Sequence, residues 1–126
     1  MNAVKIVLVF IVAVFLALAA FAASPDLEGT WVGTAELPEH TADDIVLILD
    51  KTGAGVRGTI SDGLGIIRPE TAFAGFRADG NTLGFHFPAV DGLRIAFTLK
   101  ARGDRLIGCW TDPDGGTGKI ELVRKK

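Results

Sequence analysis

The sequence predicts an all-β protein: an eight-stranded antiparallel up-and-down barrel, preceded by an apolar N-terminal segment of the kind that exports or anchors a chain. Three observations predict it. Apolar and polar residues alternate with a period of two on three consecutive strands, near 81–88, 92–101 and 104–111. Three glycine-centred turns repeat one pattern, and nowhere after Asp26 does a helical period persist.

The chain has 126 residues, and its first two dozen differ in kind from the rest. Lys5 is followed by Ile6 to Ala22 without one polar side chain. A secretory signal has an apolar core of about 7–15 residues and a spanning helix about 17–25, so length leaves both open. Ala20 and Ala22 supply small residues where a signal peptidase reads, and Ser24-Pro25-Asp26 stops any helix. Residues 1–22 are therefore read as a signal peptide cleaved after Ala22, with a retained anchor as the alternative. In that alternative residues 6–22 are the membrane contact. The exported product would be periplasmic or secreted. Residues 23–28 are read as a linker and 29–126 as one barrel domain, long enough to bury a core without covalent staples.

Formal net charge is −2, with acids and bases interspersed along the chain, so no basic face is offered to nucleic acid. Cys109 is the single cysteine, which excludes an intrachain disulfide and any multi-cysteine metal site. No cofactor is expected. Stability must come from packing.

The repeated turns are Leu49-Asp-Lys-Thr-Gly53-Ala-Gly-Val56, Phe76-Arg-Ala-Asp-Gly80-Asn-Thr-Leu83 and Leu99-Lys-Ala-Arg-Gly103-Asp-Arg-Leu106. Each puts a large apolar residue four before a glycine and another three after it, the signature of a β-hairpin with a polar tip. Counting in twos from these residues gives strands near 29–37, 43–51, 55–61, 71–78, 81–88, 92–101, 104–111 and 116–124. In the strand leading to Phe76, the count points Ala72 and Ala74 inward and Phe73 outward.

Eight short strands with no helix to cover a face fit a barrel, since closure removes exposed edges. The three tight turns then lie at one end. The longer connections, near 38–42, 62–70, 89–91 and 112–115, lie at the other.

Trp31 opens the first strand and Arg124 closes the last, so both fall at the pinched end on adjacent strands. Arg124 shares its phase with Ile120 and Leu122 and should lie over the indole, a cation–π contact of roughly 0.5–2 kcal/mol. Gly29, Trp31 and Arg124 would form the barrel floor. In this the chain resembles the lipocalin-like, or calycin, barrels, whose hallmark is Gly-x-Trp on the first strand under an arginine or lysine from the last. Gly29-Thr30-Trp31 and Leu122-Val123-Arg124 match it. The runs GTWVGTAELP, ADGNTLGFHFPA and GDRLIGCWTD…GGTGKIELVR are similar to those of small bacterial lipocalin-like domains, which occur alone after a signal peptide or ahead of hydrolase domains. The chain is shorter than the larger ligand carriers and lacks their C-terminal helix. Both departures argue against a roomy cavity.

A barrel of eight strands is just wide enough to be filled by its own side chains or to hold one small ligand. The inward phase, from Trp31 through Phe97 to Leu122, argues for a filled core. Gly33, Gly58 and Gly108 share it and either leave space or permit tight coiling. Any pocket should open at the looped end, with Trp110, Phe87 and Ile45 at its mouth.

His40 with Glu39, Asp43 and Asp44 is the one metal-like cluster, but a single histidine without strand spacing is a poor ligand set, so no metal is expected. His86 should face outward. Ser24, Ser61 and Cys109 sit in no nucleophile elbow, and neither histidine is paired with a nucleophile, so no catalytic residue is assigned. Asp112-Pro113-Asp114-Gly115-Gly116 reads as a hairpin turn. Val32, Val46 and Ile48 point outward on neighbouring strands and could merge into a surface for a protein partner or a second copy.

Two functions are compatible with these residues. The resemblance implies a binding module for a small apolar or amphipathic ligand. Its alternative is a protein-interaction module such as an envelope enzyme inhibitor, in which Ser24 to Glu28 would reach into a partner.

Overall fold

Nine antiparallel strands wrap into a nearly closed barrel in the order β4-β3-β2-β1-β9-β8-β7-β6-β5. The computed structural model describes residues 26–126 apart from residue 54. The expected export segment, its cleavage point after Ala22 and Ser24 lie outside the described residues. The strands are β1 (Gly29–Glu36), β2 (Ala42–Thr52), β3 (Gly55–Asp62), β4 (Thr71–Ala72), β5 (Ala74–Asp79), β6 (Thr82–Pro88), β7 (Arg94–Arg102), β8 (Arg105–Thr111) and β9 (Thr117–Arg124).

The expected count of eight is corrected to nine because the stretch 71–78 is not one straight strand. Its first residues pair with β3, through Thr59 opposite Ala72 and Ile60 opposite Thr71, while the remainder pairs with β6. The barrel wall therefore passes from one neighbour to the other through a bend at Phe73. No ladder joins β3 directly to β5, which leaves a seam beside Val56 and Phe76 and explains why both are only half-buried.

The same bend reverses the predicted facing of this segment. Phe73 is buried, with its ring 4.5 Å from Phe85, while Ala72 and Ala74 are exposed. Phe73 and Phe76 both turn toward the core although they are three residues apart, which strict alternation forbids. A β-bulge between Ala74 and Arg77 shifts the phase by one, and it is built on Gly75 at φ +64°. The His86 imidazole packs over that glycine: a Cβ there would come within 2.7 Å of Nε2. His86, outward in phase as expected, is thereby half-buried.

The pinched end is filled by side chains apart from a hollow of about 130 Å³ at the seam, beside Leu27, Val56 and Phe76. Trp31, Leu47, Leu49, Leu83, Leu99, Leu106 and Leu122 are almost wholly removed from water. A ladder of phenylalanines runs up one wall, with centroid separations of 5.4 Å between Phe85 and Phe97 and 5.1 Å between Phe87 and Phe97. In β2, apolar at five positions in a row, alternation survives: Ile45, Leu47 and Leu49 are buried, Val46 and Ile48 exposed.

Close strand approach has a readable cause. A Cβ on Gly33 would collide with the Glu121 carbonyl, one on Gly58 with the Ile48 carbonyl and one on Gly108 with the Thr98 carbonyl. Of the two roles open to these inward glycines, they serve tight coiling rather than empty volume. Gly108→Ala should lower stability by roughly 1–3 kcal/mol in urea denaturation. Gly53→Ala, in a turn where a Cβ meets nothing within 4 Å, should change it by less than about 0.5 kcal/mol.

Candidate functional site

The floor is assembled at the pinched end. Trp31 lies opposite Arg124 in the β1–β9 ladder, and the guanidinium carbon sits 4.3 Å from the indole ring centre. Arg124 Nη1 donates to the Glu28 carbonyl, Nη2 donates to the Asp26 carbonyl at 2.7 Å, and Nε donates to Asp104 Oδ1 at 3.1 Å. Trp31 Nε1 donates to the Leu27 carbonyl at 3.0 Å. Residues 26–28, the described part of the expected linker, are thus laid across the barrel bottom with Leu27 buried in the core. Gly29, at φ +135°, lets the backbone pass under Arg124: a Cβ there would sit 3.2 Å from Nη1.

At the opposite end the interior opens into a cavity of about 280 Å³. Ile45, Phe87 and Trp110 all line it, brought there from β2, β6 and β8. Ala35 on β1, with Ile95 and Phe97 on β7, completes the wall, and Leu37, Ile66, Ile67, Ala89 and Leu93 roof it from three connections. The cavity exists because two inward positions, Ala35 and Ala89, carry only a methyl group. Trp110 Nε1 donates to the Glu36 carbonyl at 2.8 Å, which holds the indole against β1. Its polar atom is therefore engaged by the frame.

The roof over one side is the connection 63–70, and two aspartates tie it down. Asp43 Oδ1 accepts the amides of Gly63 and Leu64 at 3.1 and 3.0 Å. Asp62 Oδ2 and Oδ1 accept those of Ile66 and Ile67 at 2.9 and 3.0 Å. Ser61 Oγ accepts the Glu70 amide, and the Val90 amide donates to the Ile66 carbonyl, so the roof is also joined to the β6–β7 connection. Ile67 is buried beneath it.

Asp43 is 3% exposed and is the one buried charged side chain among the described residues. Burial, then the hydrogen bond and charge of Asp62, push its pKa from the ordinary 3.8 up to about 6, against the lowering effect of the Leu64 and Gly63 amides. Burial also works upward on Asp62. The hydrogen bond from Asp43 and the amides of Ile67, Ile66 and Leu64 outweigh it and hold Asp62 below the ordinary value. Below about pH 6 the proton of the pair therefore resides on Asp43 and Asp62 stays ionised. Sequence reading grouped Asp43 with His40 and missed this role, although an acid in phase with Ile45, Leu47 and Leu49 was the available signal.

The residues of that grouping do not converge: Glu39 and His40 are exposed in a short 3-10 turn, Asp44 points outward and Asp43 inward. Among the described residues no three His, Cys, Asp or Glu side chains are placed to hold a metal ion. Asp112 closes the β8–β9 turn, with Oδ1 accepting the amides of Asp114 and Gly116 at 2.9 and 2.8 Å. On the outer wall Val32 lies opposite both Val46 and Val123. Val46, Ile48 and Val123 are exposed. No helix among the described residues is long and apolar enough to cross a membrane, which says nothing of strands.

No protein-family model matches this chain, and no curated protein does. Among solved structures it is similar to one described as a de novo design of a fluorescence-activating β-barrel. The two share 16% sequence identity and a TM-score of 0.52, over 79% of this chain and 94% of that one. At that identity the likeness concerns the fold alone.

The Asp43–Asp62 pair gives a signed pH dependence. Because the folded pKa of Asp43 is raised, its protonated form is favoured in the native state. That stability is full below about pH 3.8 and is lost as pH rises to about 6. The lowered pKa of Asp62 acts in the opposite sense and only below its ordinary value. Between pH 4 and 6.5, thermal unfolding should therefore show the native protein losing stability relative to Asp43→Asn, by up to about 2–3 kcal/mol. The amide keeps a donor toward Asp62 at every pH.

Proposed function

We propose that this chain is an exported, non-catalytic binding protein built on a lipocalin-like, calycin-type barrel, which takes one small apolar or amphipathic ligand at its looped end. The observation that carries this reading is the cavity itself, walled by aromatic and aliphatic side chains from β1, β2, β6, β7 and β8. Ligand sites are concave, mostly apolar and largely preformed, typically about 300–1,000 Å³ for drug-sized ligands. At about 280 Å³ this one suits a smaller molecule. A dry cavity of about 150 Å³ holds one benzene ring, so the occupant is of the order of two such rings or a medium alkyl chain. The Gly29-Thr30-Trp31 and Arg124 arrangement supports the lipocalin-like reading, and the apolar run from Ile6 to Ala22 supports export.

Among the described residues no serine, threonine, cysteine, lysine or histidine lines the cavity. Ser61 is engaged by the Glu70 amide and Cys109 lies on the outer wall. These placements favour binding over turnover.

A second reading, a partner or second copy held on the outer wall, is favoured by one observation: Val46, Val32 and Val123 stand side by side across β2, β1 and β9. Residues 26–28 of the segment Ser24 to Glu28 are less suited to reach a partner, because Leu27 is in the core and the Asp26 and Glu28 carbonyls hold Arg124.

Ala35→Leu adds three carbons to the cavity wall. It should weaken binding of a medium-chain alcohol at least about tenfold by titration calorimetry, the cost of roughly 1.4 kcal/mol of lost room, while circular dichroism stays unchanged. A second prediction concerns the outer wall. If the valines hold a second copy, the double substitution Val46→Lys with Val123→Lys should return the protein to monomer mass in sedimentation equilibrium while ligand binding persists.

A further inference from the structure

The cavity's polar groups are all of one sign. Beside its apolar walls it is lined by the carboxylates Asp43, Asp91 and Asp112, and by no lysine, arginine or histidine. The three acids come from separate places: Asp43 on β2 is buried beneath the roof, while Asp91 and Asp112 stand on the β6–β7 and β8–β9 connections at the looped end. The connections at this end add Glu39, Glu70 and Asp114 and oppose them with Arg68, while Arg94 opens β7; neither arginine lines the cavity. Negative charge lining a low-dielectric hollow concentrates cations and repels anions.

Resting on the reading of the cavity as a ligand site, we propose that it selects small apolar molecules carrying a positive charge, such as aliphatic or aryl-alkyl amines, and rejects fatty-acid-type anions. The apolar body fills the space between Phe87, Phe97 and Trp110, and the ammonium sits at the mouth among the carboxylates. The geometry of those carboxylates suits a compact point charge. Asp91 and Asp112 each use Oδ1 on backbone amides, which leaves Oδ2 of each without a hydrogen-bond partner among the described residues. An ammonium, with three donors and no acceptor, matches acceptors of that kind. A carboxylate ligand brings a fourth negative charge to the same opening, and like charges brought together at an interface are strongly disfavoured.

Three probes of equal chain length decide it: octylamine, octanol and octanoate, titrated into the full chain at pH 7.5 with calorimetry or Trp110 emission as readout. Octylamine should bind at least about fivefold tighter than octanol and at least about tenfold tighter than octanoate. Its advantage over octanol should shrink at 0.5 M salt. Asp91→Asn and Asp112→Asn, which keep the amide-accepting oxygen, should each reduce the amine advantage while leaving octanol affinity within about twofold. Equal binding of all three probes, or tighter binding of octanoate, would overturn the charge preference while leaving the cavity as a ligand site. Failure of even octanol to bind would overturn both this inference and the reading beneath it.

Discussion

The Arg124 guanidinium is where the two ends of the barrel domain are made one. It stacks on Trp31, collects the carbonyls of Asp26 and Glu28, and reaches Asp104 in the β7–β8 turn. Three separate pieces of chain, residues 26–31, the β7–β8 turn and β9, are thereby referred to one planar group, whose fixed fork of donors suits such a convergence better than an ammonium would. The pairing also sets register. With Trp31 opposite Arg124, Gly33 falls opposite Leu122 and Ala35 opposite Ile120. A slip of one residue would turn every β1 side chain to the other face. It would also carry Gly33 away from the point where the Glu121 carbonyl leaves no room for a Cβ.

From that register follows the division of the interior into a filled half and a hollow half. Below Gly33, the inward residues are Trp31 and the leucines of β2, β6, β7, β8 and β9, all nearly free of solvent contact. Above it, β1 offers only Ala35, the β6 side ends in Ala89, and Trp110 is drawn to the wall by the Glu36 carbonyl. Nothing of comparable volume replaces what those positions lack. The connections, and not the strands, decide whether the hollow is closed, and Ile66 and Ile67 close it from outside the barrel wall.

Period-two alternation made the hairpins, the end at which each turn lies and the Trp31–Arg124 pairing legible before any coordinates. It also made Ile45, Phe87 and Trp110 legible as neighbours at the looped end, because each is an inward residue near a strand terminus. What alternation could not show is where it breaks. Phe73 and Phe76 share a face only because Gly75 takes a left-handed conformation and adds a residue to one side of the ladder. A glycine in a strand does not reveal by its letter whether it will do so. Leu27 and Ile67 were missed for another reason: they enter the core from outside any strand, where no period applies. Asp43 was readable as an inward acid, but its partner Asp62 ends the neighbouring strand, and their meeting depends on how the roof folds back.

Charge followed the same logic. Along the chain acids and bases look mixed, because an up-and-down barrel reverses direction at every turn and so deals successive turns to alternate ends. Once strands are ordered, acids and bases share the floor, where Lys51, Arg102, Arg105 and Lys125 stand with Asp26, Glu28, Asp50 and Asp104, while Asp43, Asp62, Asp91 and Asp112 gather near the mouth. This polarity connects the roof to the ligand. Asp43 and Asp62 hold the roof by their amide contacts, yet when both are ionised they repel across a site that burial has already made unfavourable for charge. A cation arriving at the mouth would favour the ionised form of Asp43 by the same Coulombic term that Asp62 uses against it. Ligand charge and the protonation of the roof therefore meet at one carboxyl group, because a cation at the mouth and the proton on Asp43 would compete for the same negative charge.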